Sequence, residues 1–206
     1  MKSMKYASIF LIGLIFTHAF AEPVKTLDEP VPTACGNKKE VVELFWYGCP
    51  HCYEFEPTLE EWVKKQPKDV CFRRIPAVFS NVSWSKLAQL YYTLETLGQV
   101  EKLHFAVFKA IQEQNMNLLR EEVLLDWVKE HGIDPQQFKK TYESFTIAQK
   151  VEHAKKLTRA YGIDGVPALV VQGHYVIVPE AGSTYGSMLR QAEKLLQKAS
   201  STSSAQ

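Results

Sequence analysis

The first clear pattern in the chain is a run of β-branched and aromatic residues, EVVELFWYG, at positions 40–48. A strand that is almost wholly apolar is typical of a sheet covered on both faces. From Pro50 to about Lys65, apolar residues recur at three- and four-residue spacing, which predicts an amphipathic helix that ends before Pro67. A second strand is predicted at 69–77. The sequence therefore predicts a strand–helix–strand unit of the length that a parallel crossover needs.

The middle of the chain has the pattern of consecutive helices without strands. Helical patterns occupy 83–98, 100–114, 118–132, a segment that begins at the cap residue Asp134, and 146–161. Several helices between strands are typical of a helical insertion in an α/β core.

The C-terminal part returns to strands. VPALVVQGHYVIV at 166–178 has two apolar runs around Gln172-Gly173, which predicts a hairpin, and 184–199 has the pattern of an amphipathic helix. The order of elements predicts an α/β fold: a thioredoxin-like core with an inserted helical domain. We expect the core at 22–80 and 146–198, the insertion at 81–145, and a disordered tail of small polar residues at 199–206.

The first 21 residues are predicted to be a secretory signal peptide. Lys2 and Lys5 precede a short apolar run at 7–16, and AFA at 19–21 has the small-x-small pattern of a cleavage site. The alternative is a retained membrane anchor, but the apolar run is too short to span a bilayer. We therefore expect an exported chain that starts near Glu22.

The composition of this exported chain argues against a nucleic-acid-binding role. The full sequence has 24 Lys and Arg against 23 Asp and Glu, and residues 1–21 contain two of the lysines and no acid. The remaining 22 basic and 23 acidic residues give a nearly neutral domain, which lacks the basic surface that nucleic acids require.

All four cysteines remain after cleavage, and export places them in a compartment where disulfides persist. Four cysteines allow three pairings, and the sequence alone does not choose among them. The four are Cys35, Cys49, Cys52 and Cys71.

Cys49 and Cys52 stand where the predicted strand gives way to the predicted helix. Unpaired backbone N–H groups at a helix N-terminus favour a thiolate, so we expect the pKa of Cys49 to be lowered. Cys52 lies one turn further along, so we expect Cys49 to be the attacking sulfur and Cys52 the resolving one. Pro50 fits the first turn of a helix. His51 would stabilise the thiolate further, which would make the disulfide a stronger oxidant.

Two other interpretations of this pair are a zinc site and an inert disulfide. Zinc would need two further ligands, and the sequence has no second C-x-x-C motif. A structural disulfide across two residues is rare. We therefore predict a redox pair and no metal site. The scattered histidines, which lack a paired spacing, are interpreted as surface or packing residues: His104, His131, His153 and His174.

GVPA at 165–168 contains a proline directly before a late strand, where a trans residue would be out of place in a central ladder. A cis Val166–Pro167 bond would explain its position, with an ordinary loop proline as the alternative.

The segment EVVELFWYGCPHCYEFEP and the GVPA proline resemble the DsbA family of periplasmic thiol:disulfide oxidoreductases. The resemblance runs from about residue 24 to 198. It implies a periplasmic enzyme that donates its Cys49–Cys52 disulfide to reduced exported proteins and needs no other cofactor. It also implies reoxidation by a DsbB-like, quinone-linked membrane partner, and we expect a monomer.

The resemblance implies roles for further residues. Val166 and Pro167 would form the loop that pairs with the substrate backbone beside the sulfur. This loop and the strand-side aromatics would line the groove in which a periplasmic loop of the DsbB-like partner docks. Glu43, whose neighbours are apolar, would be a buried acid that assists proton movement near the resolving cysteine. Glu56 and Arg74 match a charged pair near the site, with an ordinary surface ion pair as the alternative.

Cys35 and Cys71 are additional to the active-site pair. Parallel strands start at the same edge of a sheet, so a cysteine before the first core strand and one at the start of the second can meet. We predict a second disulfide there, with two separate buried thiols as the alternative.

Three other functions compete with an oxidase. An isomerase or reductase would have to be kept reduced, and dimeric isomerases need a dimerisation segment that the sequence does not show. A peptide-binding chaperone on the same scaffold would keep its function without Cys49. A metal-binding protein is the remaining alternative.

Overall fold

The sheet at the centre of the molecule is mixed. The structure is a computed structural model that describes residues 24–180 and 182–203. Within these residues the strands are β1 (Val24–Thr26), β2 (Lys39–Phe45), β3 (Val70–Pro76), β4 (Ala168–Val171) and β5 (Tyr175–Ile177). They lie in the order β1–β5–β4–β2–β3. Strands β2 and β3 are parallel, and every other neighbouring pair is antiparallel.

Helices cover both faces of this sheet, and one of them makes the predicted parallel crossover. The helices are α1 (Pro50–Lys64), α2 (Val82–Thr96), α3 (Val100–Gln112), α4 (Glu121–Glu130), α5 (Pro135–Tyr142), α6 (Phe145–Ala160) and α7 (Tyr185–Ser203). Helix α1 connects β2 to β3, and α2 to α6 follow one another between β3 and β4. The predicted class, a thioredoxin-like α/β core with inserted helices, is confirmed.

Strand β2 is apolar because both of its faces are buried. Val41 packs with Phe55 of α1 and Met188 of α7 on one side. Val42 and Leu44 belong to the larger apolar cluster on the other side, which includes the inserted helices. Because successive side chains of a strand point to opposite faces of the sheet, those of β2 pack in two separate apolar cores.

The structure differs from the sequence analysis at both ends. Strand β1 was not predicted, because three residues are too few for a periodic pattern. It is held by pairing with β5, and the Leu27 N–H extends the contact to the His174 carbonyl at 2.9 Å. The backbone of α7 runs to Ser203, into the tail that was predicted to be disordered, since extending an established helix costs little.

The predicted signal peptide at 1–21 and residues 204–206 of the predicted tail lie outside the described residues. Among the residues that are described, no helix has both the length and the apolar character that a bilayer crossing requires. The boundaries of the insertion, 81–145, remain a prediction.

Candidate active site

Cys49 occupies the N-cap position of α1, directly after the turn that leaves β2. Its N–H donates to the Trp46 carbonyl at 2.9 Å, which closes the turn. Gly48 is required here because a Cβ atom at this position would lie 2.4 Å from the Trp46 indole ring. Pro50 occupies the first turn of the helix, where no N–H is needed.

The pKa of the Cys49 thiol is lowered to about 6. The largest cause is the hydrogen bond that the Cys52 thiol donates to the Cys49 sulfur, which outweighs the opposing effect of burial. The backbone N–H groups of Cys52 and His51, in the first turn of α1, and the charge of His51 lower the pKa further. The Cys52 thiol and the helix terminus therefore stabilise a thiolate at Cys49, as a nucleophile requires.

Cys52 is the opposite of its partner in exposure and in acidity. Its residue is 0% exposed, whereas Cys49 is 9% exposed and adjoins the surface. Burial is the main reason that the pKa of Cys52 is raised well above its usual value, and the neighbouring Cys49 adds to the effect. Both side chains are free thiols in this structure. The pair therefore divides into a thiolate near the surface and a buried neutral thiol.

The Val166–Pro167 peptide bond is cis and immediately precedes β4. The Cys49 thiol lies 3.4 Å from the Val166 carbonyl oxygen. The proline ring thus turns the chain so that a backbone carbonyl is presented beside the Cys49 sulfur. Residues 117 positions apart in the sequence meet at this point.

His51 is held at the rim of the site by residues that the sequence analysis did not identify. Its Nδ1 lies 3.4 Å from Glu54 Oε2, and the Tyr185 hydroxyl donates to the same oxygen at 2.9 Å. Hydrogen bonds from Tyr185 and His51 lower the pKa of Glu54. The i,i+3 spacing of His51 and Glu54 is a signal in the sequence, but the contact with Tyr185 joins residues 131 positions apart.

Arg74 lies at the centre of a buried ionic cluster behind the two cysteines. Its Nε lies 3.2 Å from Glu43 Oε2, and its Nη2 lies 2.5 Å from Glu56 Oε1 and 2.6 Å from Glu60 Oε1. The side chains of Glu43, Glu56 and Arg74 are 0%, 1% and 8% exposed. The alternative of an ordinary surface pair for Glu56 and Arg74 is therefore wrong: the packing of α1 against the sheet buries them.

Glu43 and Glu56 behave differently within this cluster. Burial, followed by the nearby charge of Glu56, raises the pKa of Glu43 well above its usual value, which favours the protonated acid. Burial also acts to raise the pKa of Glu56, but the hydrogen bond from His104 and the charge of Arg74 outweigh it and lower that pKa. Glu43 in turn contributes to the raised pKa of Cys52.

His104, interpreted from sequence as a surface or packing residue, is buried against this cluster. Its Nδ1 lies 2.8 Å from the Tyr47 hydroxyl, and its Nε2 lies 3.4 Å from Glu56 Oε2. Burial lowers the pKa of His104. No sequence signal links it to Glu56, because the contact depends on how α3 packs against α1.

Aromatic side chains extend the site beyond the turn. Trp46 stacks on Trp84 of α2 at 4.2 Å, and Phe79 meets Trp84 edge-on at 4.7 Å. Each of the three is only partly buried. They form an apolar surface next to the Cys49 turn, where the sequence analysis expected strand-side aromatics.

The other two cysteines, Cys35 and Cys71, are joined by the predicted disulfide. Cys71 lies in β3 opposite Glu40 of β2, so the bridge attaches the segment before β2 to the neighbouring parallel strand. The alternative of two separate thiols is thus wrong.

The chain matches the DSBA-like thioredoxin domain family over residues 40–184. It is 49% identical over 145 residues to the thiol:disulfide interchange protein DsbA of Azotobacter vinelandii, covering 70% of this chain and 67% of the relative. It is 44% identical over 174 residues to the protein of the same name from Pseudomonas aeruginosa, covering 84% and 81%. The crystal structure of Pseudomonas aeruginosa DsbA superposes with a TM-score of 0.84 at 40% identity, covering 89% of this chain and 95% of that one.

Proposed function

The chain belongs to the DSBA-like thioredoxin domain family, and from that premise we propose how its residues carry out thiol:disulfide exchange. The protein is a thiol:disulfide oxidoreductase that donates its disulfide to reduced exported proteins and promotes their oxidative folding. One observation supports the assignment of roles best: the two sulfurs differ in acidity, with a pKa of about 6 at Cys49 and a raised pKa at Cys52.

Cys49 is the sulfur that substrates attack. A substrate thiolate forms a bond to the Cys49 sulfur, the Cys49–Cys52 bond breaks, and Cys52 leaves with the electron pair. A second substrate thiolate then attacks the substrate sulfur of this mixed disulfide and releases Cys49 as a thiolate. Two electrons pass to the protein. Of the two protons that the substrate thiols lose, one goes to Cys52 and the other to solvent.

Glu43 is the group that supplies the proton to Cys52. It is buried, burial raises its pKa and so favours its protonated form, and it is near enough to Cys52 to raise the pKa of that thiol. Arg74 and Glu56 position it from the other side. We assign these two residues a supporting role, because neither lies against a sulfur.

Val166 and Pro167 form the part of the substrate site that recognises backbone. The cis bond places the Val166 carbonyl beside the Cys49 sulfur, so an extended substrate segment can pair there with its cysteine aligned for exchange. The partly buried aromatics Trp46, Phe79 and Trp84 would provide the adjoining docking surface.

The wider assignment follows from the same exchange chemistry. We propose a monomer in the periplasm, exported by residues 1–21 and built from a core at 22–80 and 146–198 around inserted helices. The disulfide itself carries the electrons, so the reaction needs no further cofactor. After each turnover the dithiol must be reoxidised, which we assign to a DsbB-like, quinone-linked membrane enzyme.

Peptide mapping tests which sulfur is attacked. The oxidised protein is mixed with a reduced peptide that contains two cysteines, and the reaction is quenched with acid within seconds. We expect the trapped peptide to be attached to Cys49. Attachment to Cys52, or exchange without any mixed disulfide, would contradict the proposed roles.

A further inference from the structure

The ionic cluster behind the active site carries more negative than positive charge. Three carboxylates, those of Glu43, Glu56 and Glu60, contact the single guanidinium of Arg74. Buried carboxylates need a compensating charge or a proton, because removing an ion from water is costly. Glu60 also pairs with Lys64 at 3.7 Å, so the buried acids Glu43 and Glu56 share the one guanidinium.

Three potential ligand atoms converge in the same place. A carboxylate oxygen of Glu43, one of Glu56 and a ring nitrogen of His104 all lie within 4.8 Å of one another. Glu43 Oε1 is buried and has no hydrogen-bond partner within the described part of the chain, whereas Glu56 Oε2 and His104 Nε2 have only their 3.4 Å contact with each other. Buried polar atoms without partners are rare in native proteins and call for an explanation.

The separation of the Glu56 and His104 atoms suits a zinc ion. Zinc bonds to imidazole nitrogen and carboxylate oxygen of about 2.0–2.2 Å place the ligands of a tetrahedron roughly 3.4 Å apart. His104 Nε2 and Glu56 Oε2 are separated by 3.4 Å. Three protein ligands with an open fourth position form a common zinc arrangement.

The remaining atoms of the three side chains are already held. Arg74 contacts the other oxygens, Glu43 Oε2 and Glu56 Oε1, and the Tyr47 hydroxyl holds His104 Nδ1. Metal ligands are usually oriented in this way by a second layer of hydrogen bonds. An ion would therefore meet side chains that are already held in place.

A cleft of about 340 Å³ between α1 and α3 provides a route from solvent. Its lining includes Glu56 and His104, three further acidic side chains (Glu60, Glu61 and Glu101) and two basic ones (Lys64 and Arg74). This excess of acidic groups attracts cations.

We propose that Glu43, Glu56 and His104 form a binding site for a zinc ion, reached through this cleft and separate from the two cysteines of the redox pair.

Calorimetric titration of the oxidised protein with zinc chloride tests the site. Oxidation removes the thiols of Cys49 and Cys52 as ligands, and Cys35 and Cys71 are already bridged. We expect one zinc ion per protein, with affinity about 100-fold weaker in His104→Gln and about 10-fold weaker in Tyr47→Phe, which removes only an orienting hydrogen bond. Cobalt(II) should show the visible absorption of a tetrahedral ion, and the absorption should be lost in His104→Gln.

Two control variants separate this site from surface binding. His131→Gln removes a histidine that bonds the Trp127 carbonyl away from the cluster, and it should bind zinc as the unmodified protein does. His51→Ala removes the exposed pair with Glu54, a rival surface site, and should also leave the affinity unchanged. Absence of zinc binding, equal affinity in His104→Gln, or loss of binding in His51→Ala would each overturn the proposal.

Discussion

The molecule contains two cysteine pairs with opposite roles: one restricts the chain, and the other reacts. Cys35 and Cys71 are 36 residues apart in the sequence and join the segment before β2 to β3. Cys49 and Cys52 are three residues apart, within one turn of a single helix, and connect no separate elements. The first pair restricts the chain, whereas the second constrains almost nothing beyond its own turn.

The difference is electrostatic as well as topological. The neighbouring Cys52 thiol and, after it, backbone N–H groups stabilise a thiolate at Cys49, and burial disfavours one at Cys52. A dithiol in which one sulfur is a stable thiolate makes the corresponding disulfide easy to reduce. Reactivity in this fold therefore follows from position at a helix terminus, and stability follows from the length of chain that a bridge closes.

The largest effect should follow from removing Cys49. Cys49→Ser leaves Cys52 without a partner for the active-site disulfide, so the rate of substrate oxidation should fall to that of the buffer alone. The double variant Cys35→Ala/Cys71→Ala is the matched control and should retain the rate of the unmodified protein. The measurement is the oxidation of a two-cysteine peptide; equal losses in both variants would remove the distinction between the pairs.

The second-largest effect concerns stability, and it should follow from removing the other pair, Cys35 and Cys71. Opening the Cys35–Cys71 loop should lower the free energy of unfolding by up to about 4 kcal/mol, because the unfolded chain regains the entropy of a loop of this length. Urea unfolding of Cys35→Ala/Cys71→Ala measures the loss. The glutathione equilibrium of Cys49–Cys52 should be unchanged in the same variant, since the bridge does not contact either sulfur.

The sequence was sufficient to predict the reactive pair because its signals are local. The apolar run of β2, the helical spacing after Pro50 and the C-x-x-C motif lie within about 25 consecutive residues. Glu43 was predictable as a buried acid for the same reason: its neighbours in the strand are apolar. The proline before β4 was predictable as cis because a trans proline conflicts with a central ladder.

The cluster behind the cysteines was not predictable in the same way. Whether Glu56 and Arg74 are exposed depends on how α1 packs against β3, and the place of His104 depends on α3 packing against both. Tyr185 reaches Glu54 from the start of α7. Contacts between elements distant in sequence leave no periodic pattern, so an ion pair on a surface and one in the interior look alike in the sequence.

A third, smaller effect is the pH dependence of the reactive pair. Reduction of the disulfide yields one thiolate, one thiol and one free proton when the pH is above the pKa of Cys49. Since that pKa is lowered to about 6, the equilibrium constant for reduction by glutathione should rise about tenfold for each pH unit above 6 and level off below it. The fraction of reduced protein in glutathione buffers from pH 5 to 8 measures this.

The ionisation of Cys49 also predicts how the stability of the reduced protein depends on pH. A lowered pKa contributes folding stability that is present above the pKa of the unfolded thiol and is lost as the pH falls through about 6. The reduced protein should therefore gain stability relative to the oxidised protein from pH 6 towards pH 9. A constant difference across this range would mean that Cys49 is not the ionising group.

The smallest effect should follow from substituting His51, at the rim of the site. His51→Ala keeps the backbone N–H that lowers the pKa of Cys49 but removes the ring charge, the last of the named causes. Because the ring is 71% exposed and screened by water, the pKa of Cys49 should rise by only roughly half a pH unit. Thiolate absorbance at 240 nm, followed against pH in the Cys35→Ala/Cys71→Ala background, reports the change.

Glu54→Gln distinguishes a direct charge effect from one that acts through His51. If Glu54 acts by holding the ring, its loss should raise the pKa of Cys49 in the same direction as His51→Ala, and combining the two substitutions should add nothing. If Glu54 acts directly on the thiolate, removing its negative charge should lower that pKa instead. The 3.4 Å contact with His51 and the hydrogen bond from Tyr185 favour the first result, since they fix the carboxylate against the ring. Reactivity at Cys49 would then depend on a contact that reaches across to α7, whereas the Cys35–Cys71 bridge needs none.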